Sequence, residues 1–130
     1  MKRILLDTNA YAGFLSGDED VYQALSDADA VWMSVFVIGE LMAGFRGGNR
    51  HDANVAMLRS FLRKPTVSVL DATMETAEVF GQIKEWLKRA GTAIPINDVW
   101  IAAHALETGA VLVTNDSHFD KVPGLRLRGR

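Results

Sequence analysis

The sequence predicts a single α/β domain over residues 1–130, with a parallel β-sheet flanked by α-helices on both faces. Three observations carry that prediction. Short apolar runs rich in Ile, Leu and Val alternate along the chain with longer segments of helical periodicity. Strands that are joined through helices pair in parallel, because the connection must cross from one end of the sheet to the other. A chain of 130 residues, 48% hydrophobic and 23% charged, can bury one real core and needs no second one.

The elements follow in order. Residues 3–6 are an apolar run stopped by Asp7-Thr8-Asn9, which reads as a buried strand. Residues 10–15 and 19–28 have helical character, separated by Ser16-Gly17-Asp18, with Asp18 placed to cap the second helix. Residues 30–33 read as the second strand. Ser34 then caps a helix to about residue 45, with Val35, Ile38, Leu41, Met42 and Phe45 as its buried face, and Gly47-Gly48 end it. Residues 52–63 form the next helix, with Ala53, Ala56, Met57, Ser60 and Phe61 at helical intervals, stopping ahead of Pro65.

The β-branched segment 67–70 is a third strand. A long helix covers 73–90, with Ala77, Phe80, Ile83 and Leu87 on one face and Gly91 beyond its end. Asn97 or Asp98 is expected to cap a helix to about residue 107, apolar nearly all round and therefore buried. Residues 111–113 are a fourth strand, and 125–128 a short edge strand. Repeats and low-complexity segments are absent from the sequence.

Composition narrows the chemistry. There is no cysteine, so disulfides and thiolate metal sites are excluded, and any metal must be held by oxygen or by the three histidines. A formal charge of −2 is not the footprint of a protein that holds nucleic acid over a wide surface. It is compatible with a small acidic site that cuts one. The opening apolar run stops at Asp7, too short for a signal peptide, and the longest apolar stretch, 30–39, is about half a membrane span. The expected location is the cytoplasm.

In an open parallel sheet, ligands bind beyond the carboxyl ends of the strands. Asp7 lies one residue past the first strand, and Thr114-Asn115-Asp116 follows the fourth. Glu40 lies in the second turn of the helix after the second strand, and Asp98 begins the buried helix that leads to the fourth. Four of the sixteen acids thus fall at junctions that one sheet edge can gather. Each also has an ordinary use. Asp7-Thr8-Asn9 can be a capping turn, Asp98 and Asp116 can be N-caps, and Glu40 can pair with Arg46 or Arg50. Taken together, four clustered carboxylates repel one another and raise at least one pKa. A hard divalent cation such as Mg²⁺ or Mn²⁺ removes that conflict, and such a site suits phosphodiester hydrolysis.

The residues also resemble a known family. Asp7-Thr8-Asn9, Glu40 within Ser34-Val35-Phe36-Val37-Ile38-Gly39-Glu40-Leu41, Asn97-Asp98-Val99-Trp100-Ile101-Ala102-Ala103, and Leu112-Val113-Thr114-Asn115-Asp116-Ser117-His118-Phe119 are similar in order and spacing to the PIN-domain nucleases. The chain looks most like the VapC-type toxins of toxin–antitoxin pairs, over essentially its whole length. The resemblance implies a PIN-like fold, Mg²⁺ or Mn²⁺ at the acids, and endonucleolytic cleavage of RNA. It places Asp7, Glu40, Asp98 and Asp116 as the catalytic and metal-binding acids, with Asp7 and Asp98 as direct ligands. Thr8 matches a hydroxyl that helps to position water or metal, Asn9 matches a residue that supports the first acid, and Thr114 and Asn115 flank the fourth. A homodimer and a cognate antitoxin are implied as well.

Other residues read more plainly. His118 reads as a histidine on a turn surface, and His104 as a satisfied core group. Trp32, Trp86 and Trp100 read as core or dimer contacts. Arg46, Arg50 and Lys121 flank the expected site and are candidates for RNA phosphate contacts, with solvated charge as the plainer use. Two other functions compete with the nuclease. One is a PIN-fold binding module without activity. The other is an aspartyl-phosphate phosphatase, which usually has a second acid where this chain has Asn9.

Overall fold

A computed structural model describes residues 1–129, which form five strands and six helices. The strands are β1 (Arg3–Leu6), β2 (Ala30–Ser34), β3 (Val67–Leu70), β4 (Val111–Val113) and β5 (Arg126–Arg128). The helices are α1 (Thr8–Leu15), α2 (Glu19–Asp27), α3 (Val35–Arg46), α4 (His51–Leu62), α5 (Met74–Arg89) and α6 (Ile96–Thr108). All five strands run parallel in the order β3-β2-β1-β4-β5. The fold class expected from the sequence is the one observed.

The central strand explains why both faces of the sheet are covered. Ile4, Leu5 and Leu6 are consecutive, so their side chains point to alternate faces, and all three are buried. The same holds for Leu112 and Val113 of β4. Chain order reverses at the β1–β4 junction: β2 and β3 are added on one side of β1, β4 and β5 on the other. A crevice opens at such a switch point beyond the strands' carboxyl ends.

Local signals set most helix starts. Asp18 accepts hydrogen bonds from the N–H groups of Asp20 and Val21 at the start of α2, and Ser34 accepts from Phe36 N–H at the start of α3, both as expected. At α6 the expectation fails, because neither Asn97 nor Asp98 is the cap. The helix starts behind Pro95, whose carbonyl accepts from the N–H groups of Asp98 and Val99 at 3.0 and 3.2 Å. Asp98 therefore sits inside the first turn, with its carboxylate free of capping duty.

Three expected helix faces shift. On α3 Leu41 is buried and Ile38, Met42 and Phe45 pack against the core as expected, but Val37 is the other buried residue and Val35 is exposed. On α4 they are Leu58 and Phe61, and Ala53, Ala56, Met57 and Ser60 face outward. On α5, Thr76, Ile83 and Leu87 are buried, Phe80 is partly covered and Ala77 is exposed. In α4 the competing stripes differ in area: alanines hide little surface, so Leu58 and Phe61 set the orientation. The expectation for α6 holds, with Val99, Ile101, Ala102, Ala103, His104 and Ala105 all buried.

Candidate active site

Asp7 stands where β1 ends and α1 begins, and only 4% of its surface is exposed. Its Oδ1 accepts the N–H of Ala10 at 2.7 Å, so it does cap α1. Its Oδ2 accepts a short hydrogen bond from the hydroxyl of Thr114, which follows β4. The same Thr114 oxygen accepts the N–H of Asp116 at 2.9 Å. One buried hydroxyl thus joins the first acid to the backbone that carries the fourth.

Asp98 arrives from α6. Its Oδ2 lies 2.9 Å from Nδ1 of His118, and the same nitrogen lies 3.2 Å from Asp116 Oδ1. Asp116 Oδ1 also accepts the backbone N–H of His118 at 2.9 Å, which caps a short 3₁₀ turn, Ser117–Lys121. Glu40 is on the second turn of α3 and half-buried, and its Oε1 accepts the Thr8 hydroxyl at 2.8 Å. Its observed partner is thus Thr8, and not Arg46 or Arg50.

The carboxylates lie close enough for their charges to act on one another. Burial pushes the Asp7 carboxyl above its ordinary range. The bonds from Thr114 and Ala10 oppose that rise, and the negative charges of Asp116 and Asp98 add to it. Asp98 is raised too, first by burial and then by the charges of Asp116 and Glu40, against the stabilising contact with His118. The capping role of Asp7 and the cluster are compatible: one oxygen caps the helix and the other faces Thr114.

Other residues singled out in the sequence lie mostly on the surface. Asn9 and Asn115 are exposed and line a cavity beside Thr114. Arg46 ends α3, Arg50 precedes α4 and Lys121 ends the 3₁₀ turn; all three are exposed. His118 is the residue that sequence reasoning misplaced. It is no bystander on a turn surface, because it touches two of the four acids. The available signal was its place two residues after Asp116, where an Asp-capped turn folds the following side chain back toward the cap.

His104 behaves as expected of a satisfied core group. It is fully buried, with Nδ1 2.8 Å from the Ser34 hydroxyl and Nε2 3.2 Å from the Asp71 carbonyl. Trp100 is stacked between Phe36 and Phe80, Trp32 is half-buried under Arg3, and Trp86 is exposed.

Three of these side chains are placed so that they could hold a metal ion. Ligand atoms of Asp98, Asp116 and His118 lie within 4.8 Å of one another, and carboxylate oxygens are the ligands that hard divalent cations favour. Among the described residues no helix is long and apolar enough to cross a membrane.

The chain is similar to known proteins over nearly its whole length. Ribonuclease VapC2 of Haemophilus influenzae Rd is 32% identical over 129 residues, covering 97% of this chain and 96% of that protein. The tRNA(fMet)-specific endonuclease VapC of Salmonella typhimurium is 29% identical over 130 residues, covering 98% and 97%. Among solved structures, DNA-bound VapBC from Salmonella typhimurium superimposes with a TM-score of 0.87 at 29% identity, covering 98% of both chains. VapBC-1 from nontypeable Haemophilus influenzae gives 0.86 at 26% identity, over 97% of this chain and 96% of that one. Residues 4–125 match the PIN domain family, and the chain belongs to it, as a homologue of the VapC ribonucleases.

Proposed function

We propose that the protein is a Mg²⁺- or Mn²⁺-dependent endoribonuclease that hydrolyses RNA phosphodiester bonds. The observation that carries this reading is the convergence of Asp7, Glu40, Asp98 and Asp116 at the sheet's switch point. These four carboxylates would hold the cation, with His118 bracing two of them. A divalent cation bound there supplies a Lewis acid for the phosphoryl oxygen and lowers the pKa of a hydrolytic water.

The chain's own residues do the positioning. Thr114 fixes the Asp7 carboxylate and the Asp116 backbone, and Thr8 fixes Glu40. Asn9 and Asn115 are assigned to the supporting shell beside them. Arg46, Arg50 and Lys121 are assigned to phosphates of the bound RNA away from the cut, because nearby cations offset the repulsion between an acidic site and a polyanion.

Support for the biological role comes from the likeness to the VapC ribonucleases and to the DNA-bound VapBC of Salmonella typhimurium. By that likeness this chain is the toxin of a type II pair, works in the cytoplasm, forms a homodimer and is held inactive by a cognate antitoxin. The test is direct. Purified protein with Mn²⁺ should cut an RNA pool, and Asp98→Asn should not. If the parent neither cuts RNA nor gains thermal stability from Mn²⁺, the chain is a binding module of the same fold.

A further inference from the structure

We infer that Gly129 is a positioning residue for the carboxylate site, acting through Thr114. It takes no part in the four acidic motifs, and it lies one residue beyond the edge strand β5. Two features of its geometry require glycine. Its φ is +97°, a backbone region that residues with a side chain rarely adopt. A β-carbon built on it would stand 2.5 Å from the Thr114 carbonyl oxygen and 3.3 Å from the Thr114 carbonyl carbon. Those atoms are backbone and cannot swing aside.

Thr114 is held from both sides. Its N–H donates to the Arg128 carbonyl at 2.9 Å, which carries the β4–β5 pairing past the end of β4. Its hydroxyl donates to Asp7 Oδ2 and accepts from Asp116 N–H at 2.9 Å. Thr114 is 2% exposed, so it has little room to move without moving those partners. A side chain at residue 129 would press on Thr114 from the outside, and the displacement would pass to Asp7 and Asp116. The end of β5 therefore sets the spacing of acids that come from β1 and from the turn after β4.

Gly124 supplies a matched control. It too has a positive φ, +86°, but a β-carbon there would meet only Leu106 Cδ2 at 3.4 Å. Gly124→Ala thus imposes a similar dihedral strain without touching Thr114. Gly129→Asn makes the complementary separation, because Asn enters the left-handed region more easily than Ala yet keeps the β-carbon.

The inference rests on the metal-site reading above, and its test separates the two. Two quantities are measured in the parent, Gly129→Ala, Gly129→Asn and Gly124→Ala: amide hydrogen exchange at Asp116 and the Mn²⁺ concentration that gives half of the thermal stabilisation. Both Gly129 variants should speed exchange at the Asp116 amide and weaken Mn²⁺ by about 10–100-fold, the usual effect of disturbing a residue that orients a ligand. Gly124→Ala should lower the melting temperature and leave both readouts at the parent's values. Equal behaviour of Gly129→Ala and Gly124→Ala, or recovery of both readouts in Gly129→Asn, overturns the inference. A parent that Mn²⁺ does not stabilise overturns the metal-site reading instead, and the Asp116 exchange rates then still decide whether Gly129 controls the geometry.

Discussion

The Nδ1 atom of His118 lies 2.9 Å from Asp98 Oδ2, so an imidazole on the turn after β4 braces a carboxylate on α6, 20 residues earlier in the chain. The same nitrogen is 3.2 Å from Asp116. Removing the ring takes away the hydrogen-bonding partner that the two carboxylates share. His118→Ala should lower Mn²⁺-dependent RNA cleavage by about 10–100-fold. The fold should survive, because the ring is partly exposed. Cleavage kinetics alongside a melting curve check this, and parental activity in the variant would remove His118 from the site.

Thr114→Val tests the buried link. The variant keeps the shape and loses the hydroxyl, leaving Asp7 Oδ2 and the Asp116 N–H each without a partner. A loss of about 1–3 kcal/mol in unfolding free energy is expected, since buried groups left unsatisfied carry their desolvation cost. Activity should fall with it. Denaturant unfolding of both proteins measures the first effect, and an unchanged midpoint would count against the bond.

The raised pKa values of Asp7 and Asp98 give a pH prediction with a definite sign. In the metal-free fold these groups keep protons at pH values where the unfolded chain, near the ordinary 3.8, has released them. That source of stability is complete below 3.8 and is lost as pH rises through the folded values. Asp7→Asn should therefore gain melting temperature relative to the metal-free parent on going from about pH 4 to about pH 7. Saturating Mn²⁺ should reverse the order at neutral pH. A constant difference across the range, with or without metal, would contradict this account of the cluster.

His104 predicts the opposite dependence. Burial lowers its pKa below the ordinary 6.5, against smaller contrary effects from Asp71 and Glu107, so the folded ring stays neutral where the unfolded ring gains a proton. Stability from this group is present above 6.5 and lost as pH falls from there through the folded value. The neutral ring fits its neighbours: Nε2–H donates to the Asp71 carbonyl, and Nδ1 accepts from Ser34, whose oxygen already accepts Phe36 N–H. Between about pH 6.5 and about pH 5 the parent should lose more stability than His104→Gln. Parallel slopes in the two proteins would show that His104 does not titrate across folding.

Much of this was legible from residues alone, for identifiable reasons. The β1, β2 and β4 runs were visible because strands buried on both faces need consecutive apolar residues, as Ile4-Leu5-Leu6 shows, whereas the largely exposed edge strand β3 was visible through its β-branched valines. The positions of Asp7 and Asp116 followed from strand ends, which short runs define well. Helix faces were harder. Val35 and Met57 satisfied the spacing yet are exposed, because several apolar stripes compete on one helix and packing with distant neighbours selects among them. The α6 start was missed because backbone bonds to the Pro95 carbonyl close its first turn without any side-chain cap. His118 and Gly129 were invisible as site residues because their roles depend on contacts with Asp98 and Thr114 that spacing alone does not encode.

Diffraction from a crystal soaked in Mn²⁺, recorded at the manganese absorption edge, addresses the proposed chemistry at its source. One or more anomalous peaks should lie among the carboxylate oxygens of Asp7, Asp98 and Asp116, with Glu40 alongside. No peak in that crevice, or peaks only at unrelated surface acids, would mean that the gathered carboxylates do not exist to hold a metal.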